Sequence, residues 1–183
     1  MIFKKLSIPD VVLIEPNVFI DDRGFFYESY HATEFAKFIG RDVKFVQDNH
    51  SKSIKGVLRG LHYQIEPYEQ AKLVRVTKGE VWDVAVDLRK KSETFGKWVG
   101  EILSESNKKQ LWIPEGFAHG FQVLSKVAHF SYKVTDYFDP NDQHCIIWND
   151  ESIKINWKES SSNVVLSKND SDGKSIQEAE IFD

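Results

Sequence analysis

The segment from residue 48 to residue 64 carries the densest set of side chains that could do chemistry. It reads DNHSKSIKGVLRGLHYQ, so Arg59, His62 and two glycines interrupt an apolar, strand-like run. Histidine is a common general base because imidazole exchanges protons near neutral pH, and arginine binds phosphate oxygens through several N–H donors. The alternative is structural, with His62 satisfied by a backbone carbonyl in the core and Arg59 on the surface.

Strict alternation along a strand would place Arg59 and His62 on opposite faces of a sheet. Gly60 lies between them, and a glycine inside a strand often marks a bulge or a close backbone approach. One extra residue at Gly60 would bring both side chains onto one face. If both contact one ligand, the sequence therefore predicts a β-bulge at Gly60.

A second histidine, His119, ends a Pro-x-Gly-x-x-His spacing. This spacing resembles the second motif of the cupin superfamily, in which a turn places a histidine on a jelly-roll strand. The first metal motif of that superfamily needs a His-x-His pair, but the chain has His62-Tyr63-Gln64 in the matching place. Zinc and iron sites need about three protein ligands, and Glu66 or Glu69 would complete only a weak set. We therefore predict no metal site.

The elements that must position these side chains are mostly strands. Glu80–Leu88 and Ala128–Thr135 alternate apolar and polar residues, which is typical of half-buried strands. One short helix is predicted at Thr33–Ile39, with Gly40 as a left-handed stop. Many short strands without helices between them indicate a sandwich or barrel. Further strand-like runs are Val43–Asn49, Val57–Tyr63, Lys72–Val76, Lys97–Leu103, Gln110–Ile113 and Gly120–Leu124.

The composition is that of a packed globular protein. The chain has 183 residues, of which 41% are hydrophobic and 13% aromatic. This length suits one domain, so we expect residues 1–183 to form a single domain. The run SSSN at 160–163 is predicted to be a loop, and the tail from about residue 160 is expected to pack over the site.

The charge and the cysteine content restrict the possible binding partners of the protein and its cellular compartment. The formal net charge of −4 argues against non-specific nucleic-acid binding, which needs a basic face. It leaves room for an anionic small molecule held by local cations such as Arg23, Arg59, Lys72 and Arg75. The single cysteine, Cys145, excludes an intramolecular disulfide. The sequence has no apolar run of signal-peptide or membrane-span length, so we expect a cytoplasmic protein without a membrane partner.

Several segments taken together carry a more specific pattern, in unbroken order from about residue 3 to residue 176. They are Asp22–Glu28, Gln47–Ser51, Gly56–Gln64, Lys72–Val76, Asp83–Arg89, Gln110–Phe121, Tyr132-Lys133 and Trp148–Asp150. This combination resembles the dTDP-4-dehydrorhamnose 3,5-epimerase family. The resemblance implies an all-β, cupin-like jelly-roll β-sandwich with one or two short helices, and a homodimer.

The family converts dTDP-4-dehydro-6-deoxy-D-glucose into dTDP-4-dehydro-L-rhamnose by inverting C3 and C5. Both carbons flank the C4 ketone, so loss of either proton gives an enolate. The reaction needs a base, a donor for the O4 oxyanion, and an acid on the opposite face. The resemblance implies no cofactor, because the substrate carries its own electron sink.

The resemblance assigns the catalytic roles to four residues. His62 resembles the base, and Asp170 the carboxylate that orients it, within a segment reading Leu-Ser-Lys-Asn-Asp. Lys72 resembles the cation beside O4, and Tyr132 the acid on the other face. Taken alone, Asp170 would be read as a solvated loop residue, and Tyr132 as a core residue of an apolar stripe.

The resemblance also implies a set of substrate contacts. Arg23 and Arg59 resemble residues that hold the pyrophosphate, and Phe26 and Glu28 resemble thymine contacts from a neighbouring subunit. The other contacts line the same groove. The predicted substrate-binding residues are Arg23, Phe26, Glu28, Gln47, Asn49, Arg59, His119 and Phe138.

Three positions depart from the family pattern. Ala71 stands where the family has glycine, and Asn169 stands where it has lysine. Phe138 stands where it has tyrosine, which keeps an aromatic stack on the thymine but loses a hydroxyl.

Three other functions fit some of these motifs. A mono-epimerase would invert only C3 or only C5 of a related dTDP-4-keto-6-deoxy sugar. A non-catalytic cupin would bind nucleotide sugars through Arg23 and Arg59 without a working His62–Asp170 pair. A metal-dependent cupin oxygenase or isomerase would need a bound ion.

Overall fold

Two antiparallel sheets face each other in the computed structural model, which describes residues 1–158 and 163–183. The first sheet contains, in spatial order, β1 (Ile2–Lys5), β2 (Val12–Glu15), β10 (Gln110–Ile113), β7 (Lys72–Lys78), β12 (Val127–Val134) and β5 (Gln47–Ile54). The second contains β13 (His144–Cys145), β6 (Leu58–Tyr63), β11 (Phe117–Val123), β8 (Glu80–Asp87) and β9 (Trp98–Ser104). A separate hairpin joins β3 (Phe19–Asp21) to β4 (Gly24–Phe26). The predicted all-β, cupin-like sandwich is confirmed.

The main core lies between the two sheets. Alternate residues of β7, β8, β11 and β12 point inward and are almost fully buried, among them Val74, Ala85, Phe121 and Phe130. The Phe121 and Phe130 rings stack with their centroids 4.1 Å apart. Aromatic pairs of this kind fill the gap of about 10 Å between packed sheets.

Helix α1 (Ala32–Ile39) covers the outer face of the first sheet. His31 caps its N-terminus, and Gly40 ends it in the left-handed conformation with φ +83°, so the predicted helix and its stop are confirmed. Phe35 is buried and packs edge-on against Trp112, with centroids 5.1 Å apart. Within the described ranges, no helix is long and apolar enough to cross a membrane.

The C-terminal segment covers the outer face of the second sheet. Ile153 and Ile176 are buried there with outward-facing residues of β8 such as Val84. Val165 bridges to Val57. The short helix α2 (Lys168–Ser171) follows. The predicted loop at 160–163 lies mostly outside the described residues, since 159–162 are not among them.

The predicted strand at Val43–Asn49 was wrong in its extent. The strand β5 begins at Gln47 and continues to Ile54, while Val43 and Phe45 pack beside α1 instead. The sequence pattern missed this because β5 is an edge strand whose residues are mostly polar. The strand β11 likewise begins at Phe117, three residues before its predicted start.

Candidate active site

A cavity of about 330 Å³ opens between the sheets at the end where β5, β6, β7, β11 and β12 converge. Polar side chains from the inward faces of these strands meet there. Eight predicted site residues are among those that line it: Gln47, Asn49, Arg59, His62, Lys72, His119, Tyr132 and Phe138.

The predicted bulge at Gly60 is present and shapes this cavity. His62 pairs with His119 and Arg59 pairs with Phe121, so three steps along β6 span two steps along β11. The extra residue turns Arg59 and His62 to the same face. Gly60 has φ +115°, and a Cβ there would lie 2.6 Å from the Cα of Gly120. Only glycine therefore fits this close approach.

Asp170 lies directly behind His62. Its Oδ1 is 2.6 Å from His62 Nε2, although this oxygen lies off the direction of the ring N–H, so the contact is an ion-pair distance rather than an aligned hydrogen bond. The backbone N–H of Gly60 donates to the same oxygen at 3.0 Å. The Ser167 hydroxyl donates to Oδ2 at 2.6 Å, within a capping box at the start of α2. Local backbone structure thus fixes the carboxylate beside the ring.

These contacts keep Asp170 ionised. Burial alone would raise its pKa, but His62, the Ser167 hydroxyl and the Gly60 N–H outweigh that effect and lower the pKa to about 2. A carboxylate at this position stabilises a positive charge on the imidazole. Because Nε2 is held against Asp170, Nδ1 is the nitrogen left to act on a substrate.

Lys72 is buried at the start of β7, with Nζ 3.2 Å from the carbonyl oxygen of His62. Burial lowers the pKa of its ammonium to about 8, and the nearby Asp83 opposes this shift. The side chain is thus a cation near neutral pH that can also give up its proton. It can stabilise a negative oxygen in the cavity.

His119 is held by a buried carboxylate that the sequence analysis gave no role. Its Nε2 lies 3.0 Å from Oδ2 and 3.1 Å from Oδ1 of Asp83, on the adjacent strand β8. Burial lowers the pKa of His119 and raises the pKa of Asp83, because it disfavours charge on either group. The signal in the sequence was an aspartate with apolar neighbours on both sides in the middle of a strand, since such a group needs a partner when it is buried.

Tyr132 faces the cavity from β12, opposite Asn49 on β5. Its ring packs against Phe130, with centroids 5.9 Å apart. Burial raises the pKa of its phenol, and Arg59 opposes that shift. The phenol therefore carries its proton at neutral pH and can donate it.

The outer part of the cavity presents donors and an aromatic ring. Arg59 Nε donates to the Ser53 hydroxyl at 3.1 Å. Gln47 donates to the side-chain oxygen of Asn49 at 2.8 Å, and its own side-chain oxygen accepts from the backbone N–H of Phe138 at 3.3 Å. The Phe138 ring is about half exposed, so its face is open to a flat ligand.

Comparisons with known proteins agree with one another. The profile of the dTDP-4-dehydrorhamnose 3,5-epimerase family matches residues 5–178. The chain belongs to this family. It is 58% identical over 178 residues to the dTDP-4-dehydrorhamnose 3,5-epimerase of Pseudomonas aeruginosa, covering 97% of both chains. It is 36% identical to a dTDP-4-dehydrorhamnose 3-epimerase of Streptomyces niveus, covering 98% of this chain and 86% of that protein.

A solved structure of a family member is also similar. The epimerase of Legionella pneumophila, in complex with dTDP-4-keto-L-rhamnose, superposes with a TM-score of 0.94 at 49% identity. The match covers 97% of this chain and 94% of that one. The family and the fold predicted for the present chain are therefore confirmed.

Three predicted substrate contacts do not lie in the cavity of this chain. Arg23, Phe26 and Glu28 belong to the β3–β4 hairpin and the segment after it, away from the residues that line the cavity. Arg23 instead pairs with Asp21, with Nη2 2.6 Å from Oδ2. Phe26 is two-thirds exposed. Within one chain of this epimerase family member, the structure does not bring these three residues to His62.

The structure also places residues at the site for which the family resemblance gave no role. Ser167 holds Asp170, and Gln70 and Gln143 line the cavity. Cys145 is directly opposite His62 on the neighbouring strand. The sequence gave little signal for these residues, because each is a small or polar side chain in a short or irregular segment.

Proposed function

We propose that this protein is a dTDP-4-dehydrorhamnose 3,5-epimerase, which inverts C3 and C5 of dTDP-4-dehydro-6-deoxy-D-glucose without a cofactor. One observation carries the proposal: a carboxylate-paired histidine, a buried lysine and a neutral tyrosine meet in one cavity, in a chain of this family. These are a base, an oxyanion donor and an acid. They are the three functions that a proton exchange beside a ketone requires.

His62 begins the reaction by removing the proton from a carbon next to the C4 ketone. The proton moves to Nδ1, and the electron pair of the C–H bond moves into the enolate, ending on O4. Asp170 stabilises the resulting imidazolium through Nε2. The ketone makes this proton more acidic, but imidazole is a much weaker base than a free enolate, so the charge on O4 must also be stabilised.

Lys72 stabilises the enolate and Tyr132 completes the inversion. The Lys72 ammonium faces the developing charge on O4 in a buried setting, where such a contact is stronger than in water. Tyr132 then donates its phenolic proton to the opposite face of the same carbon. Solvent returns a proton to Tyr132 and takes one from His62 before the second carbon reacts.

The nucleotide binds across the outer part of the cavity. Arg59 contacts the pyrophosphate, Phe138 stacks on the thymine, and Gln47 and Asn49 line the same groove. His119, held by Asp83, contacts the sugar. In this function residues 1–183 act as one domain, whose tail from about residue 160 supplies Asp170.

The protein acts as a homodimer in this proposal. The β3–β4 hairpin exposes Phe19, Ile20, Phe25 and Phe26, each at least 60% accessible. Such a contiguous apolar patch favours a protein contact. A second copy that accepts this hairpin would receive Arg23, Phe26 and Glu28 at its own cavity. The predicted cytoplasmic location rests on the sequence composition and belongs to the same proposal.

Deuterium exchange tests the reaction directly. The protein is incubated with dTDP-4-dehydro-6-deoxyglucose in deuterated water, and H3 and H5 of the sugar are followed by NMR. Loss of both signals supports the double epimerase. Loss of one signal alone assigns the mono-epimerase, the activity named for the Streptomyces niveus relative. Retention of both signals contradicts either epimerase.

A His62→Ala variant separates an enzyme from a binding module. Turnover should fall by on the order of 10²-fold or more, because the variant has no base. Binding of dTDP, measured by calorimetry, should stay within about threefold, since His62 contacts only the sugar end in this proposal. Unchanged turnover would assign the proton exchange to another group.

A further inference from the structure

Cys145 is next to the catalytic pair, but the proposed reaction does not use it. It lies on the edge strand β13, which pairs with β6 so that Cys145 is directly opposite His62. Residues opposite each other in an antiparallel pair point to the same face of the sheet. Backbone hydrogen bonds in both directions between Leu61 and Ile146 hold this register, at 3.2 and 2.9 Å. The pairing of β13 with β6 therefore places the thiol of Cys145 next to the imidazole of His62.

Three side chains of different chemistry converge at this point. The ligand atoms of His62, Cys145 and Asp170 all lie within 4.8 Å of one another. His62 Nε2 is buried and has no aligned hydrogen-bond partner, despite its short distance to Asp170. An imidazole, a thiol and a carboxylate form a typical ligand set for zinc-like ions.

An open space leads to these atoms from the side away from the substrate. A second cavity, of about 350 Å³, borders His62, Cys145 and Asn169. His62 and Gln143 line both cavities and form the wall between them. An ion could therefore approach His62 and Cys145 without passing through the substrate cavity, with the Asp170 carboxylate next to His62, and water in this space could supply a fourth ligand.

We propose that a thiophilic divalent cation, of the Zn²⁺ or Cd²⁺ class, binds His62 Nε2, Cys145 Sγ and the Asp170 carboxylate, and thereby inhibits the enzyme. Binding releases the thiol proton to solvent. The lone pair of Nε2 binds the ion, so the remaining ring proton resides on Nδ1. No basic nitrogen then faces the substrate. The site itself is independent of the proposed function, whereas the inhibition rests on His62 being the base.

Binding is tested with CdCl₂ in buffer free of thiols and chelators. Cys145 is the only cysteine in the chain, so any thiolate-to-cadmium charge-transfer absorption reports this site. The band should appear in the wild type, vanish in Cys145→Ser, and need at least about tenfold more Cd²⁺ in His62→Ala, because a direct ligand is lost. His50→Ala, which removes a histidine of the outer sheet face, should titrate like the wild type.

Two results would overturn the proposed ion site. One is the absence of the band in the wild type. The other is a His62→Ala variant that titrates at the same Cd²⁺ concentration as the wild type, because the thiol would then bind cadmium without the imidazole. The band requires no turnover, so it can appear even if the protein proves not to be an epimerase.

Inhibition is tested separately, by epimerase turnover with added Cd²⁺. Wild-type turnover should fall as the band grows and return with EDTA, and Cys145→Ser should need at least about tenfold more Cd²⁺. Equal sensitivity of the two proteins would overturn the inhibitory role. It would place the inhibitory ion elsewhere.

Discussion

Asp170 is the residue whose charge can be removed with the least change in shape. In Asp170→Asn, the amide oxygen can still accept from the Gly60 N–H, and the Ser167 hydroxyl, which donates to the second carboxylate oxygen in the wild type, can rotate to accept from the amide nitrogen. The negative charge that stabilises the imidazolium is lost. We expect kcat to fall on the order of 10²- to 10⁴-fold, with dTDP binding nearly unchanged.

A matched control for this change lies two residues away. Asp172 is exposed at the end of α2, so Asp172→Asn makes the same substitution without touching the ring of His62. Its kcat should equal that of the wild type. Steady-state kinetics and dTDP calorimetry check both variants, and an Asp170→Asn protein with full kcat would remove the carboxylate from the mechanism.

Lys72 should set the alkaline side of the pH profile. Its pKa is lowered to about 8 by burial, so the ammonium is present below that pH and is lost as pH rises through it. Enolate stabilisation needs the charged form. We therefore expect kcat to decline above about pH 8.

The measurement is the pH dependence of kcat for the wild type and for Lys72→Arg. Arginine keeps its charge to much higher pH, so the decline near pH 8 should disappear from the remaining activity. A wild-type kcat that stays constant well above pH 8, or a decline that persists in Lys72→Arg, would rule out Lys72 as the titrating group.

At the scale of elements, the bulge in β6 brings Arg59, the proposed phosphate contact, and His62, the proposed base, onto one face. Gly60→Ala would place a Cβ 2.6 Å from both the Gly120 Cα and the His119 carbonyl oxygen, at φ +115°. Strain of this kind costs about 1–3 kcal/mol, and the steric clash adds to it. We expect a lower urea midpoint and a loss of turnover.

Gly24 offers a matched control for Gly60. It also has a positive φ, of +129°, but a Cβ there would meet no atom within 4 Å. Gly24→Ala should therefore lower the urea midpoint less than Gly60→Ala does. Equal midpoints for the two variants would show that the close approach of β6 and β11 contributes nothing to stability.

Sequence patterns predicted most elements that have an apolar face. Strands β8 and β12 were predicted to within about one residue. The alternation of β12 reflects burial of one face against the core, whereas β8 is buried on both faces and its apolar face packs under the C-terminal segment. The strand β5 was predicted poorly, since its inward residues line the cavity and are polar. The four strands before α1 and the two-residue β13 were missed, because so few residues give no readable period.

The site residues were predicted by a different kind of signal. Motif resemblance singled out His62 and Asp170, although 108 positions separate them, whereas local pattern would have left Asp170 in a solvated loop. Asp83 and Cys145 received no role. Their positions depend on which strand lies beside which, and that information resides in the sheet topology rather than in local sequence.

At the scale of the whole molecule, the position of the hairpin predicts a shared active site. If Arg23 and Phe26 act in the cavity of the partner, a dimer of His62→Ala with the double variant Arg23→Ala, Phe26→Ala has one site with all the changes and one site with none. Mixing and refolding these two impaired proteins should therefore restore turnover well above that of either alone. Sedimentation should show a dimer.

The control mixture contains His62→Ala and Asp170→Asn, whose changes lie in the same site of one chain. No mixed dimer of these two has an intact site, so no recovery is expected. Recovery in both mixtures, or in neither, would contradict the exchange of hairpins between subunits.

The late position of α2 has a consequence for synthesis. Asp170 follows β13 in the chain, so the ribosome has made all thirteen strands of the described structure before it adds this residue. A polypeptide that ends before residue 170 thus contains every strand of both sheets but lacks the counter-ion of the His62 imidazole. Such a product would bind the nucleotide sugar without converting it.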